Sequence, residues 1–228
     1  MQKIKNFLKL PELEDFYDYE KPIHFVIVAV YLLIMISMIL LSSNPERLAP
    51  VIIPLIFVVT AFLYRRVLIH DIKIFGKNIG RYVVEVVLGF LMVNFLMVQG
   101  NRIPHWLGAG NAPNQLAVQD MFWQAPILGA FAIAIAAPIA EELVFRRAIK
   151  GMTNSKILYY ALSAVLFGVA HIVVDFSFPT SFVFLAGYAL VGLGFAYLYD
   201  SSKNIWVPIF VHLINNTLGV IMIIVSGQ

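Results

Sequence analysis

Long apolar runs, separated by short polar segments, recur along almost the whole chain. Each run holds about 17 to 22 residues, which matches the roughly 20 residues that an α-helix needs to cross the hydrocarbon core of a bilayer. The pattern predicts seven membrane spans, at about residues 23–41, 48–64, 82–98, 124–145, 157–174, 180–199 and 205–225. We therefore expect an all-α fold, a polytopic transmembrane helical bundle.

Three polar segments between these spans differ in character. Residues 42–45 are predicted to form a turn, and residues 65–81 a basic loop. Residues 99–122 are rich in Gly, Asn, Pro and Gln, with Trp106 inside the segment and Trp123 just beyond it, which favours an interfacial loop with a short surface or re-entrant helix. A broken helix in this last segment would raise the number of spans to eight.

The lysine and arginine residues predict the orientation of the bundle, because cytoplasmic loops of membrane proteins carry an excess of them. With residues 1–22 as a cytoplasmic segment, only Arg47 and Arg102 of the 16 basic residues fall on the outside. Residues 23–228 then form a single transmembrane domain, whose motif core covers residues 124–225. We predict a multi-pass protein of the cell membrane with the C-terminus outside.

Composition supports this class and excludes several others. Hydrophobic residues make up 61% of the chain and the mean hydropathy is +0.85, well above the roughly half-apolar composition of soluble domains. The absence of cysteine excludes a cysteine nucleophile, thiolate metal ligands and disulfides. A net charge of +3 is too small to indicate nucleic acid, so the bilayer is the first predicted partner. The first apolar run lacks a small-residue cleavage site and is expected to be a retained span.

Four polar residues on three predicted helices fall at similar depths in the membrane. Counted from the cytoplasmic ends at about 1.5 Å per residue, Glu141 and His212 each lie about 12 Å deep. Asn216 lies one turn deeper, on the same face as His212, and His171 lies roughly 15 to 20 Å deep. Each histidine taken singly could simply form a hydrogen bond between helices. The coincidence of all four at one level instead predicts a functional site.

The adjacent Glu142 is predicted to have a different task from Glu141. Glu142 and Arg146 are four residues apart, so they share a helix face and can form a structural ion pair. Glu141 is five residues from Arg146, about 140° round the helix, and is left to face a polar cavity. Pro138 lacks a backbone N–H group and is expected to bend the helix beside the site.

Three pairs at a spacing of four residues carry a family resemblance. In chain order they are Glu142 with Arg146, preceded directly by Glu141; Phe167 with His171; and His212 with Asn216. This ordered set resembles the signature of the CPBP family of intramembrane proteases, the CAAX-protease and bacteriocin-processing family that is also called Abi. The motifs cover about a third of the chain, residues 141–216.

The resemblance implies an endopeptidase that acts on a membrane-associated peptide or protein. It implies that Glu141 and His171 activate a water molecule, and that His212 and Asn216 stabilise the oxyanion. Glu142, Arg146 and Phe167 would support these groups. Bacterial members of the family are linked to peptide maturation, to bacteriocin or pheromone processing and to self-immunity.

The residues leave metal dependence and two other functions open. The family has often been labelled metalloprotease, and Glu141, His171 and His212 could supply three zinc ligands, but the chain has no His-Glu-x-x-His motif. We therefore expect no cofactor, with zinc as the alternative. A catalytically silent scaffold or immunity protein would keep the fold without the chemistry. A proton-coupled transporter would also use intramembrane Glu and His, but the chain lacks two similar halves.

Overall fold

A computed structural model describes residues 22–41, 45–109, 112–173 and 180–227. The predictions for residues 1–21 and for most of the turn at 42–45 lie outside these residues. The described residues form ten helices: α1 (Pro22–Leu41), α2 (Pro45–Leu63), α3 (Arg65–Lys77), α4 (Ile79–Gly100), α5 (Arg102–Trp106), α6 (Pro113–Gln124), α7 (Pro126–Met152), α8 (Lys156–Ile172), α9 (Thr180–Ser202) and α10 (Trp206–Ser226).

The seven long helices run alternately between two ends of the bundle. We call one the basic end; it holds the starts of α1, α4, α8 and α10, the ends of α2, α7 and α9, and the whole of α3. Contacts there join distant parts of the chain, such as the 2.7 Å hydrogen bond between His24 Nδ1 and the Tyr64 hydroxyl and the 2.8 Å ion pair between Lys150 and Asp200. At the other end, the distal end, α4 and α9 approach so closely that a Cβ atom on Gly100 would lie 2.7 Å from the Gly187 Cα.

The helical membrane bundle predicted from the apolar runs is confirmed. Four of the described helical stretches are long and apolar enough to cross a membrane on their own: Ile79–Trp106, Pro126–Met152, Ser181–Ser202 and Trp206–Ser226. The α2 and α3 helices pass the same test only together, across a bend of 76°. The remaining two predicted spans correspond to two apolar helical stretches of 10–17 residues: Pro22–Ser37 within α1, and Lys156–Ile172, which is α8.

The prediction of a loop at residues 65–81 is wrong, because most of this segment is the helix α3. Its buried residues Val67, Asp71 and Phe75 recur every four positions, which forms a stripe along one helix face. Asp71 then fixes the start of α10, since its carboxylate accepts the Ile205 N–H at 3.0 Å and its carbonyl accepts the Asn204 side chain at 2.7 Å. The four basic residues of α3 conceal this stripe in a simple hydropathy reading.

Residues 99–122 contain short helices, as predicted for this segment. The helix α6 lies at the distal end and packs against the start of α7 and against α2. Its residue Asn114 forms a side-chain hydrogen bond with Tyr188 of α9. This contact places α6 beside the interior of the bundle.

Candidate active site

A cavity of about 670 Å³ occupies the interior of the bundle. Its lining includes the four residues that the sequence analysis predicted to converge: Glu141, His171, His212 and Asn216. The helices α7, α8 and α10 supply these residues, and α1, α2, α4, α6 and α9 complete the walls. The structure therefore brings the predicted site residues to one cavity.

Glu141 is the carboxylate at the centre of this group. Its Oε2 atom lies 3.9 Å from His171 Nε2 and 3.9 Å from His212 Nε2, and its side chain is 15% exposed. The same oxygen is buried and has no hydrogen-bond partner among the residues that the structure describes. Distances of this length are too long for direct hydrogen bonds but suit a water molecule shared between the groups.

Glu142 points away from the cavity and is completely buried. Its carboxylate accepts a hydrogen bond from Arg146 Nε at 3.0 Å and a second one from another guanidinium N–H at 3.4 Å. These contacts confirm the predicted ion pair of Glu142 and Arg146. It also lies 2.9 Å from His212 Nδ1, a contact that the sequence analysis did not predict. Glu142 therefore joins the helix end of α7 to the histidine of α10.

The hydrogen bonds of His171 and His212 indicate which nitrogen of each ring carries the proton. His171 Nδ1 lies 2.8 Å from the Phe167 carbonyl, and His212 Nδ1 faces the Glu142 carboxylate. Both partners only accept, so each Nδ1 atom carries a proton and donates it. In the neutral ring each Nε2 is then an acceptor that faces Glu141.

Aromatic rings hold the two histidines in place. The His171 ring packs against both Phe167 and Tyr188, with ring centroids 4.2 Å and 4.9 Å away. The His212 ring stacks on Phe195 at 4.8 Å. Such packing restricts the rotation of both rings and so keeps each Nε2 atom directed at the cavity.

Phe167, predicted as a supporting residue, connects the histidine to the buried ion pair. The Arg146 guanidinium lies 4.8 Å from the centre of the Phe167 ring and 5.5 Å from that of Phe195. Arg146 also donates to the Ser163 carbonyl at 3.4 Å. The guanidinium is thus surrounded by groups that satisfy its charge in a fully buried position.

Asn216 is held by an irregular stretch of α7. Residues Ala132–Ala136 are π-helical, and the Ala137 N–H donates to the Ala132 carbonyl rather than to that of Ile133. In this π-helical register the next donor, to the Ile133 carbonyl, would be the backbone nitrogen of residue 138. That residue is Pro138, which has no N–H group. The Ile133 carbonyl is therefore left open and accepts the Asn216 side chain at 2.9 Å. The sequence analysis predicted a bend at Pro138; the structure shows a π-helical stretch with a freed carbonyl just before it.

The described residues do not fit a zinc ion as they stand. No group of three or more His, Cys, Asp or Glu side chains among them is arranged to hold a metal. Glu141 Oε2 lies 3.9 Å from each of the two Nε2 atoms, longer than the about 3.4 Å that separates ligands in a tetrahedral site with zinc bonds near 2.0–2.1 Å.

Sequence reasoning missed the contribution of α9 to the site. Phe184, Tyr188, Val191 and Phe195 all line the cavity, and their spacing of four, three and four residues places them along one helix face. This spacing was the signal available in the sequence. It was not informative by itself, because α9 is apolar on nearly every side.

Comparison with known proteins agrees with the family resemblance carried by the three motifs. Residues 123–218 match the family described as type II CAAX prenyl endopeptidase Rce1-like. A Bacillus subtilis (strain 168) protein, named "Putative membrane peptidase YdiL", is 32% identical over 150 residues, which cover 64% of this chain and 58% of that protein. No match to a solved structure was found. The matches confirm the resemblance carried by the three motifs, and the chain spans little more than half of the relative's length.

Proposed function

We propose that this chain is a member of the CPBP family of intramembrane proteases and that it hydrolyses a peptide bond of a membrane-associated peptide or protein. The observation that carries the proposal is the convergence of the Glu141 carboxylate and the Nε2 atoms of His171 and His212 on one point inside the cavity. An acid–base pair beside a bound water is the arrangement that general-base hydrolysis requires.

In the first step a water molecule between Glu141 and His171 attacks the scissile carbonyl. Glu141 or the Nε2 atom of His171 accepts the proton that the water loses, while the carbonyl oxygen becomes an oxyanion. The same proton is then delivered to the leaving nitrogen as the C–N bond breaks. A carboxylate and an imidazole at this distance can share the proton through the water.

In this proposal His212 and Asn216 donate hydrogen bonds to the oxyanion. Asn216 gives one amide N–H to the Ile133 carbonyl and retains a second N–H for the substrate. His212 has already committed its Nδ1 proton to Glu142, so its Nε2 atom can donate only in the imidazolium form. The carboxylate of Glu142 compensates that positive charge. Glu142 is therefore a positioning residue for His212.

The experiment compares peptides in the membranes of cells that carry the wild type, Glu141→Gln or His171→Gln. Mass spectrometry should show at least one membrane peptide or protein that accumulates uncleaved in both variants. Glu85→Gln is the matched control, since it changes a glutamate of α4 that pairs with Arg81 at 2.7 Å, outside the cavity. No accumulation in either variant, with normal protein levels, would refute proteolysis and support a scaffold or immunity function.

The physiological setting extends the proposal beyond the chemistry. We propose a peptide that the membrane delivers, such as a bacteriocin or pheromone precursor, with self-immunity as a further role. The accumulated peptides in the same experiment would identify the class directly. A substrate without any membrane attachment would contradict this part of the proposal.

A further inference from the structure

The described basic residues are distributed very unevenly between the two ends of the bundle. Only Arg47 and Arg102 lie at the distal end. The other ten described residues of this kind lie at the basic end: Arg65, Arg66, Lys73, Lys77, Arg81, Arg146, Arg147, Lys150, Lys156 and Lys203. Because cytoplasmic helix ends carry the excess of Lys and Arg, this distribution predicts that the basic end faces the cytoplasm. The distal end then faces the opposite side of the membrane.

The cavity is closed toward the basic end and extends to the distal end. Beyond Glu141 in the direction of the basic end, the next two turns of α7 contribute Phe145 and Ile149, both completely buried. At the distal end the lining includes Asn101, Gln115 and Ser226, and these residues are exposed. The path to Glu141 along the described lining residues therefore starts at the distal end.

The distal part of the cavity, which we call the mouth, is lined by amide side chains. These are Asn101, Asn114, Gln115 and Gln119. An amide both donates and accepts hydrogen bonds, so these side chains match the N–H and C=O groups of an extended peptide. They would compensate a main chain for the water that it loses on entering the cavity.

The described residues that line the cavity include few charged side chains. Among the described residues that line it, none is Lys or Arg, and Glu141 is the acidic one. An acidic side chain or a free carboxylate that entered would lose its hydration without gaining a cationic partner at the mouth. An uncharged segment would avoid this penalty, and a basic side chain would find a carboxylate partner in Glu141.

Building on the proposed peptidase function, we infer that the substrate is an uncharged or basic peptide segment that reaches Glu141 from the non-cytoplasmic side of the membrane, through the amide-lined mouth. This inference adds a side of entry and a charge preference to the proposed hydrolysis. Each of the two can be tested separately.

The side of entry can be measured by labelling, because the chain contains no cysteine and any introduced thiol is unique. We choose Gln115→Cys at the mouth and Lys77→Cys at the basic end, since both residues are exposed. The probe is a membrane-impermeant maleimide, applied to right-side-out and to inside-out vesicles. We expect the cysteine at position 115 to react only in right-side-out vesicles and the cysteine at position 77 only in inside-out vesicles.

The opposite pattern, or labelling of both cysteines from the same side, would overturn the inferred side of entry. This readout requires no peptidase activity, so it is separate from a failure of the proposed function. If the expected labelling pattern occurs but Glu141→Gln causes no peptide to accumulate, the orientation stands and the hydrolysis is refuted.

The charge preference can be measured on the same Gln115→Cys protein. Anionic and cationic methanethiosulfonate reagents of similar size would place opposite charges at the mouth. If the substrate is uncharged or basic, the protein that carries the anionic group should cleave the accumulated peptide at least as fast as the protein that carries the cationic group. Faster cleavage by the cationic adduct would show an acidic substrate and overturn the inference.

Discussion

The buried unit of Arg146, Glu142 and His212 allows a sharp test of the division of labour between the two adjacent glutamates. Glu142 is fully buried and holds Arg146 at 3.0 Å and His212 at 2.9 Å, whereas Glu141 faces the cavity and the structure gives it no comparable contact among the described residues. The test compares two single substitutions of the same kind, Glu142→Gln and Glu141→Gln. Each variant replaces a carboxylate by an amide of nearly equal shape.

The expected effects differ in kind. Removing one partner of a buried ion pair costs about 3–5 kcal/mol, because the remaining charge stays in a site without water. For a chain of this length that cost lowers the Tm by about 10 °C in Glu142→Gln. Glu141→Gln leaves no buried cation unpaired, so its Tm should stay close to that of the wild type while peptide cleavage disappears.

The assay is thermal unfolding in detergent, followed by tryptophan fluorescence, in parallel with peptide cleavage. A double variant, Glu142→Gln with Arg146→Met, is the control, since removing both charges should restore much of the stability that either single change removes. If Glu142→Gln unfolds at the wild-type temperature, or if Glu141→Gln is destabilised as strongly, the assignment of Glu142 to structure and Glu141 to chemistry is refuted.

Four further predictions follow from the same contacts. Asn216→Ala should lower the cleavage rate by about 10²- to 10³-fold, the usual loss for one oxyanion donor, and a smaller effect in kinetic measurements would contradict its role. Pro138→Ala supplies an N–H that competes with Asn216 for the Ile133 carbonyl, so cleavage should fall while the Tm is kept; a Tm loss without an activity loss would count against this competition. Asp71→Ala removes the acceptor of the Ile205 N–H and should cost about 1–3 kcal/mol in thermal unfolding, and an unchanged Tm would show that α10 needs no such anchor. Treatment with a chelator should leave cleavage unchanged, whereas inactivation that added zinc reverses would show that the site closes around a metal.

Interactions within one helix could be predicted from the sequence because the spacing of residues determines them. The predicted pair of Glu142 and Arg146 forms, and Arg81 and Glu85, at the same spacing of four residues, also form an ion pair. The separation of Glu141 from its neighbour follows from the same geometry. Helical periodicity alone thus assigned the two glutamates to different surroundings.

Contacts between helices could not be predicted in the same way. His212 lies 70 residues from Glu142, and their hydrogen bond depends on the rotation of α10 against α7. A depth count along each helix places both residues at a similar level but leaves their direction open. The anchor at Asp71 escaped prediction for a similar reason, since its partners Asn204 and Ile205 lie at the start of a different helix.

Buried charged residues hold the His212 ring that the proposed mechanism uses. Among the described residues in contact with this histidine or with its partner, Glu141 and Glu142 bring two negative charges and Arg146 brings one positive charge. In the proposed mechanism the Nε2 atom of His212 would carry the N–H group that the oxyanion needs. Arg146 does not line the cavity, yet by holding Glu142 against the Nδ1 atom of His212 it sets the orientation of a group that does.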